Sequence, residues 1–81
     1  MVRANGPVRV FGEGRAGSRI RSRRSEIGFT QASLADALDV SRQTVVALES
    51  DDYAPSVFLA IKVARQLQLS VEEIWGLDTP P

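Results

Sequence analysis

The chain has 81 residues with ten acidic and ten basic side chains, and it contains neither cysteine nor histidine. This length suits one small domain, and the composition excludes disulfides and metal sites built on thiolate or imidazole ligands. No apolar run approaches the ~18 residues of a membrane span, and no continuous apolar segment near the N-terminus resembles a signal peptide. We therefore expect a cytoplasmic protein that depends on core packing, with a partner subunit as a second source of stability.

Charge is distributed unevenly along the chain. Residues 1–30 hold seven arginines and two glutamates, a net charge of +5, whereas residues 31–81 have a net charge of −5. Arginine binds phosphate through a planar fork of N–H groups, so the basic half is a candidate phosphate-binding segment. A solvated arm that keeps a small protein soluble is the alternative.

Residues 1–17 are rich in glycine, and we predict an N-terminal arm that does not form a helix. The arm is flexible or, at residues 8–11, forms a short strand. Gly12, Gly14 and Gly17 have the spacing of a dinucleotide-binding fingerprint, but that fingerprint requires a following βαβ unit. The segments that follow have helical patterns, so we predict no cofactor.

Residues 18–77 have the pattern of an all-α domain, and residues 78–81 form a frayed tail. The first helix is predicted from Ser18 to Ile27, with Gly28 ending it at the C′ position. Thr30 and Ser41 are N-caps of two short helices joined by a tight turn. These two helices bury their apolar residues together, which is a helix-turn-helix. Those residues are Ala35, Leu38, Val40, Val45 and Leu48.

Two further helices follow, the fourth capped by Ser56 and the fifth by Ser70 with Glu73 in a capping box. The fourth helix carries a continuous apolar stripe, formed by Leu59, Ala60, Val63, Ala64 and Leu67.

The fifth helix and the residues after it hold the predicted dimer contacts. Val71 and Ile74 are expected to face the core. Trp75 and Leu77 have few internal partners, and tryptophan is enriched among interface anchors. We predict a homodimer interface at Ile74, Trp75 and Leu77, and closure of the core is the alternative role for Trp75.

The ordered residues from Arg19 to Trp75 resemble a known family. The most specific part is the series Thr30-Gln31…Leu34-Ala35…Leu38-x-Val40-Ser41-Arg42-Gln43-Thr44-Val45…Leu48-Glu49, followed by Tyr53-x-Pro55-Ser56. This series is similar to that of the phage repressor/Cro-type (XRE-like) helix-turn-helix transcriptional regulators. The resemblance implies a five-helix, lambda-repressor-like DNA-binding domain. It also implies that the third helix, about residues 41–49, reads DNA, usually in a dimer.

The start of the third helix carries the candidate base-contacting residues. A helix seated in the major groove presents its N-terminal residues to base edges. Arg42 can pair with O6 and N7 of guanine, and Gln43 can pair with N6 and N7 of adenine. One turn further on, Val46 and Ala47 can meet thymine methyl groups. The corresponding positions read bases in the resembling family, whereas an ordinary solvated surface is the alternative for Arg42 and Gln43.

A second set of residues is predicted to contact the DNA backbone. Gln31 begins a helix, where free N–H groups and the positive end of the helix dipole attract phosphate. Hydrogen bonding between Gln31 and Glu49 is the alternative, and Ser41 is first a cap. The full set is Arg19, Arg24, Gln31, Ser41, Thr44, Tyr53 and Ser56.

The sequence departs from the family pattern in two places. Arg23 stands where the family usually has an apolar residue, so its stem must lie along the core or the first helix is weakly anchored. Asp51 and Asp52 stand in a loop that usually holds a glycine and a basic residue. Two carboxylates close to a phosphodiester would oppose DNA binding. They therefore either point away from the DNA or limit the affinity.

The leading prediction is therefore a homodimeric repressor that binds a near-palindromic operator in double-stranded DNA. The alternative is a protein-binding helix-turn-helix module, antitoxin-like or an accessory subunit, that uses its acidic half. An enzyme is not expected, because adjacent carboxylates on exposed turns do not form a positioned acid–base pair.

Overall fold

A computed structural model describes residues 15–76. These residues form five α-helices and no strand, which confirms the predicted all-α class with five helices. The region suggested as a strand, residues 8–11, the residue Leu77 and the tail at 78–81 lie outside the described residues. None of the five helices combines the length and apolar character needed to cross a bilayer. The helices are α1 (Arg15–Ile27), α2 (Gln31–Leu38), α3 (Arg42–Glu49), α4 (Val57–Leu67) and α5 (Val71–Trp75).

Hydroxyl caps set the start of α2 to α5. Each cap side chain accepts a hydrogen bond from the backbone N–H three residues further on, which satisfies an amide that the helix itself cannot pair. The first and last of these caps form full capping boxes, with Ser33 and Glu73 as the reciprocal partners. All four predicted caps are confirmed: Thr30, Ser41, Ser56 and Ser70.

The end of α1 is also set locally. Gly28 has a φ of 103°, and its N–H donates to the carbonyl oxygens of Arg24 and Ser25 at 3.0 and 3.1 Å. Glycine adopts this left-handed conformation at little cost, so it closes the helix as predicted. The next residue, Phe29, packs against the core.

The core lies where the helices meet, and it is wholly apolar apart from Glu49. The predicted stripe of α4, from Leu59 to Leu67, is buried. Ala35, Leu38, Val45 and Leu48 are buried too, with Val40 packed against them. The fifth helix differs from prediction: Ile74 is fully buried whereas Val71 is exposed. Ile74 therefore has no exposed surface in its own subunit, which argues against its predicted place in a dimer interface.

The first helix begins at Arg15, three residues earlier than predicted. Gly17 explains the difference, because its backbone packs directly against the end of α3. Its N–H donates to Oδ1 of Asp51 at 3.0 Å. A Cβ at this position would lie 2.3 Å from the carbonyl oxygen of Glu49, so only glycine permits the approach. The last glycine of the fingerprint-like series is thus a helix-packing residue.

Two arginines of α1 form hydrogen bonds with the C-terminal ends of α4 and α5. Nε of Arg23 donates to the carbonyl oxygen of Leu67 at 2.8 Å, at the last residue of α4. Nη1 of Arg19 donates to the carbonyl oxygens of Glu73 and Ile74 at 3.1 and 3.2 Å, in the last turn of α5. Helix C-termini leave carbonyl groups without intrahelical partners, and cationic donors satisfy them well. The arginine at position 23 therefore anchors α1 by a polar contact in place of an apolar one.

Candidate nucleic-acid interface

A short turn orients α3 relative to α2. Asp39 ends α2 in the left-handed conformation with a φ of 61°, and the N–H of Val40 donates to the carbonyl oxygen of Ala35 at 3.0 Å. Ser41 then caps α3 at once. Only Asp39, Val40 and Ser41 connect the two helices, so the direction of α3 is set by the position of α2.

The four predicted base-contacting residues lie on the solvent side of α3. Arg42, Gln43 and Val46 are exposed and Ala47 is partly exposed. At about 100° per residue they cover an arc of roughly 140°. Val45 and Leu48 lie on the buried side, and Glu49 is buried next to the edge of the outward face that Arg42 forms. Arg42 and Gln43 begin the helix, so the outward face of α3 starts with its two most versatile hydrogen-bonding side chains.

Ser41 and Thr44 close the N-terminal turn of α3. The Oγ of Ser41 accepts from the N–H of Thr44 at 3.2 Å, and the two hydroxyl oxygens lie 3.0 Å apart. Ser41 is exposed and Thr44 is partly exposed. Each hydroxyl can form more than one hydrogen bond, so the pair caps the helix while still facing solvent.

Gln31, the first residue of α2, lies between two side chains of α3: the exposed Arg42 and the buried Glu49. Its Nε2 donates to Oε1 of Glu49 at 3.1 Å. Its Oε1 accepts from Nη2 of Arg42 at 3.0 Å. The alternative role considered from the sequence, a hydrogen bond between Gln31 and Glu49, is therefore present.

Arg24 was predicted to contact the DNA backbone, but in the structure its guanidinium is paired within the protein. Its Nε and Nη2 donate to the two carboxylate oxygens of Glu49 at 2.5 and 3.3 Å, and Nη1 donates to the carbonyl oxygen of Phe29 at 3.0 Å. The side chain is only 13% exposed. Arg19 is likewise occupied, by the end of α5. Arg21 of the same helix has 62% of its side chain exposed, and its Nε lies 3.9 Å from Oε1 of Glu49.

The loop after α3 uses Asp51 in an unexpected way. Asp51 has a φ of 59°, a conformation that aspartate tolerates better than most residues, and the N–H of Asp52 donates back to the carbonyl oxygen of Ala47 at 3.0 Å. The carboxylate of Asp51 points to the first turn of α1, where it accepts from Gly17. One of the two acidic departures from the family pattern is therefore structural. Tyr53 and Ser56, both predicted backbone contacts, are exposed in the same loop.

A second exposed surface is apolar and lies on α4 and α5. Val57 and Phe58 are 77% and 74% exposed, and Ile61 is exposed beside them. This surface continues into a groove that is lined in part by Val71 and Trp75. We call these five residues the α4–α5 apolar surface. Its α4 members were not predicted from the sequence, although they are apolar positions that lie outside the core stripe of α4.

Trp75 packs against the core, which was one of its two predicted roles, and its predicted dimer contact stays a prediction. Its side chain is partly buried and packs against the core, and it also lines the groove on the α4–α5 apolar surface. A tryptophan in this position can close the core of one subunit and still offer one edge of its ring to another molecule.

Comparisons with known proteins agree with this geometry. A family model described as helix-turn-helix matches residues 20–74. An uncharacterised HTH-type transcriptional regulator of Methanothermobacter thermautotrophicus is 47% identical over 60 residues, which cover 73% of this chain and 87% of that protein. The immunity repressor protein of Bacillus phage phi105 is 36% identical over 63 residues, which cover 78% of this chain and 44% of that protein.

A solved structure is also similar. The restriction-modification controller protein C.AhdI from Aeromonas hydrophila aligns with a TM-score of 0.70 and 26% identity, covering 76% of this chain and 94% of that one. The matched region contains α2 and α3 and the caps that orient them. The chain belongs to the helix-turn-helix family of transcriptional regulators, a family of regulators and not of enzymes.

Proposed function

We propose that the protein binds double-stranded DNA sequence-specifically, as a homodimeric repressor, with α3 in the major groove. The observation that carries this proposal is the free leading end of α3, where Arg42 and Gln43 face solvent. Both side chains can form bidentate hydrogen bonds with purine bases. Val46 and Ala47 extend the same face toward thymine methyl groups.

Polar groups around α3 are suited to hold the phosphate backbone on either side of the groove. The first turn of α2 begins at Gln31 and offers backbone N–H groups at the positive end of a helix dipole. Ser41, Thr44, Tyr53 and Ser56 contribute hydroxyl groups near the start and end of α3. We add Arg21 to this set and omit Arg19 and Arg24, because these two are engaged within the protein.

The α4–α5 apolar surface supports a homodimer, and we propose a second copy of the chain as its occupant. Large apolar side chains such as Val57 and Phe58 are costly to leave in water when they lie together. A two-fold dimer buries the same patch from each subunit and presents two α3 helices to a near-palindromic site. Trp75 remains in the predicted interface, and Leu77 remains a prediction because it lies outside the described residues.

Similarity to proteins named as repressors supports repression rather than activation. These are the phage phi105 immunity repressor and the CTXphi repressor RstR of Vibrio cholerae, the latter 31% identical over 58 residues. A protein-binding module remains the alternative function. The exposed acidic loop supports this alternative less than expected, because the carboxylate of Asp51 accepts a hydrogen bond from Gly17 of α1. The α4–α5 apolar surface, however, could also bind a different protein.

Selection of bound duplexes from a random DNA pool tests the proposal. A homodimer should enrich an inverted repeat whose half-sites are centred about one helical turn, or 10–10.5 base pairs, apart. Affinity for that site should fall steeply with added salt, because phosphate contacts release counterions. Absence of enrichment at low salt, combined with co-purification of another protein, would favour the protein-binding alternative.

A further inference from the structure

A continuous series of hydrogen bonds connects the surface of α3 to the interior. It runs from Arg42 to Gln31, from Gln31 to Glu49, and from Arg24 to the same carboxylate. The donor–acceptor distances are 3.0, 3.1 and 2.5 Å. We call these four residues the Glu49 relay, and three helices contribute to it.

The chemistry of the end members allows only one orientation of the middle one. A carboxylate accepts hydrogen bonds and cannot donate, so the NH₂ group of Gln31 must face Glu49. A guanidinium donates and cannot accept, so the carbonyl oxygen of Gln31 must face Arg42. The amide of Gln31 is therefore directed, with its acceptor toward Arg42 and one of its two N–H donors toward Glu49.

Glu49 is a rigid anchor for this orientation. Its side chain is 3% exposed, and Arg24 contacts both of its carboxylate oxygens. The pair is joined to the main chain as well, because the same guanidinium donates to the carbonyl oxygen of Phe29. Nε of Arg21 lies 3.9 Å from Oε1 of the same carboxylate, on the side of α1. The carboxylate cannot rotate away from this position without leaving the buried guanidinium of Arg24 unpaired.

We infer that Glu49 is a positioning residue for base recognition. Through Gln31 it holds the guanidinium of Arg42 at the leading end of α3, in one of the many conformations open to an exposed arginine. A side chain that is already ordered loses less conformational entropy when it pairs with a base. This inference rests on the proposed function, since it requires Arg42 to contact DNA.

The relay makes a specific prediction about polarity. In Glu49→Gln, the guanidinium of Arg24 claims the single remaining oxygen, so the new NH₂ group faces Gln31. The amide of Gln31 must then turn its oxygen inward and its NH₂ group outward, toward Arg42. Two donors now face each other, and Arg42 is released.

The charge-conserving double variant Glu49→Gln/Gln31→Glu should restore the relay. A carboxylate at position 31 accepts from the new amide on one side and from Arg42 on the other. The net charge of the protein is unchanged. A merely structural role for Glu49 predicts no such rescue, because the double variant restores hydrogen-bond polarity and not the buried ion pair with Arg24.

The test measures the ratio of affinities for the selected operator and for operators with single base-pair changes. Arg42→Ala should lower this ratio by about tenfold at the base pair that it reads. Gln31→Met and Glu49→Gln should lower it several-fold at the same base pair, and neither should add to Arg42→Ala. The double variant should recover the ratio, even if the added surface carboxylate weakens binding to all duplexes.

Arg23→Met is the matched control. It removes a partly buried hydrogen bond between α1 and the end of α4, and this bond does not involve α3. It should lower thermal stability without changing the ratio at temperatures where each variant is folded. An unchanged ratio in Arg42→Ala would overturn the proposed reader. A changed ratio in Arg42→Ala, with Gln31→Met behaving as the parent protein, would overturn the relay alone. Gln31→Met decides this even if Glu49→Gln does not fold, since Gln31 is partly exposed and uncharged.

Discussion

The contact between Gly17 and the end of α3 makes a quantitative prediction for Gly17→Ala. The added Cβ would lie 2.3 Å from the carbonyl oxygen of Glu49 and 2.8 Å from Oδ2 of Asp51. Ordinary van der Waals contact begins at 3.4 Å, so the start of α1 must move by about 1 Å. The 3.0 Å hydrogen bond from the N–H of Gly17 to Asp51 breaks with that movement.

Three terms determine the size of the effect. Overpacking costs about 1–3 kcal/mol, and loss of a hydrogen bond to a charged acceptor costs about 1.5–3 kcal/mol. Alanine gains about 1 kcal/mol over glycine inside a helix. The free energy of unfolding should therefore fall by about 1.5–5 kcal/mol, which lowers the melting temperature of so small a domain by roughly 6 °C or more.

Thermal and urea unfolding followed by circular dichroism measure this difference. Ser18→Ala is the matched control, because Ser18 is the next residue of the same helix and is exposed. Its stability should stay within about 0.5 kcal/mol of the parent protein. A Gly17→Ala protein as stable as the parent, or more stable, would show that α1 does not pack so closely against α3.

Three further predictions follow from other parts of the molecule. Arg24→Met leaves the carboxylate of Glu49 buried without its partner and should cost about 3–5 kcal/mol in urea unfolding; a cost below 1 kcal/mol would contradict the buried pair. Removal of residues 1–14 should weaken binding to all duplexes and reduce the dependence of affinity on salt, while the melting temperature stays constant; an unchanged salt dependence would mean that the arm does not touch phosphates. Phe58→Ser should shift the protein toward monomer in sedimentation, with Trp75→Ala acting in the same direction; a dimer that persists in both variants would place the interface elsewhere.

Local features of the fold were predictable because local chemistry determines them. A hydroxyl cap and the amide three residues later are close in the chain, so Thr30 or Ser70 identifies a helix start without any tertiary information. The apolar stripe of α4 repeats with the helical period, and it is buried as predicted. The exposed leading end of α3 follows from the same reasoning, since Val45 and Leu48 recur at the helical period and place the buried side of α3 away from Arg42 and Gln43.

Contacts between residues distant in the chain were not predictable in the same way. The sequence shows that the first helix is rich in arginine, but it does not show that Arg23 and Arg24 have partners 44 and 25 residues away. The start of α1 was misplaced for the same reason, because the partner of Gly17 is Asp51, 34 residues further on. Composition indicates charge, whereas only the packed structure determines which charges remain available to a ligand.

The central claim is that the leading end of α3 reads bases in the major groove. Replacing each purine of the selected operator in turn with its 7-deaza analogue tests it most directly, because this change removes the N7 acceptor from the major groove alone. We expect weaker binding at one or two positions in each half-site. Arg42→Ala or Gln43→Ala should abolish this sensitivity, whereas Arg65→Ala, which removes an equal charge from the exposed side of α4, should preserve it. Equal affinity for all substituted operators would contradict the account.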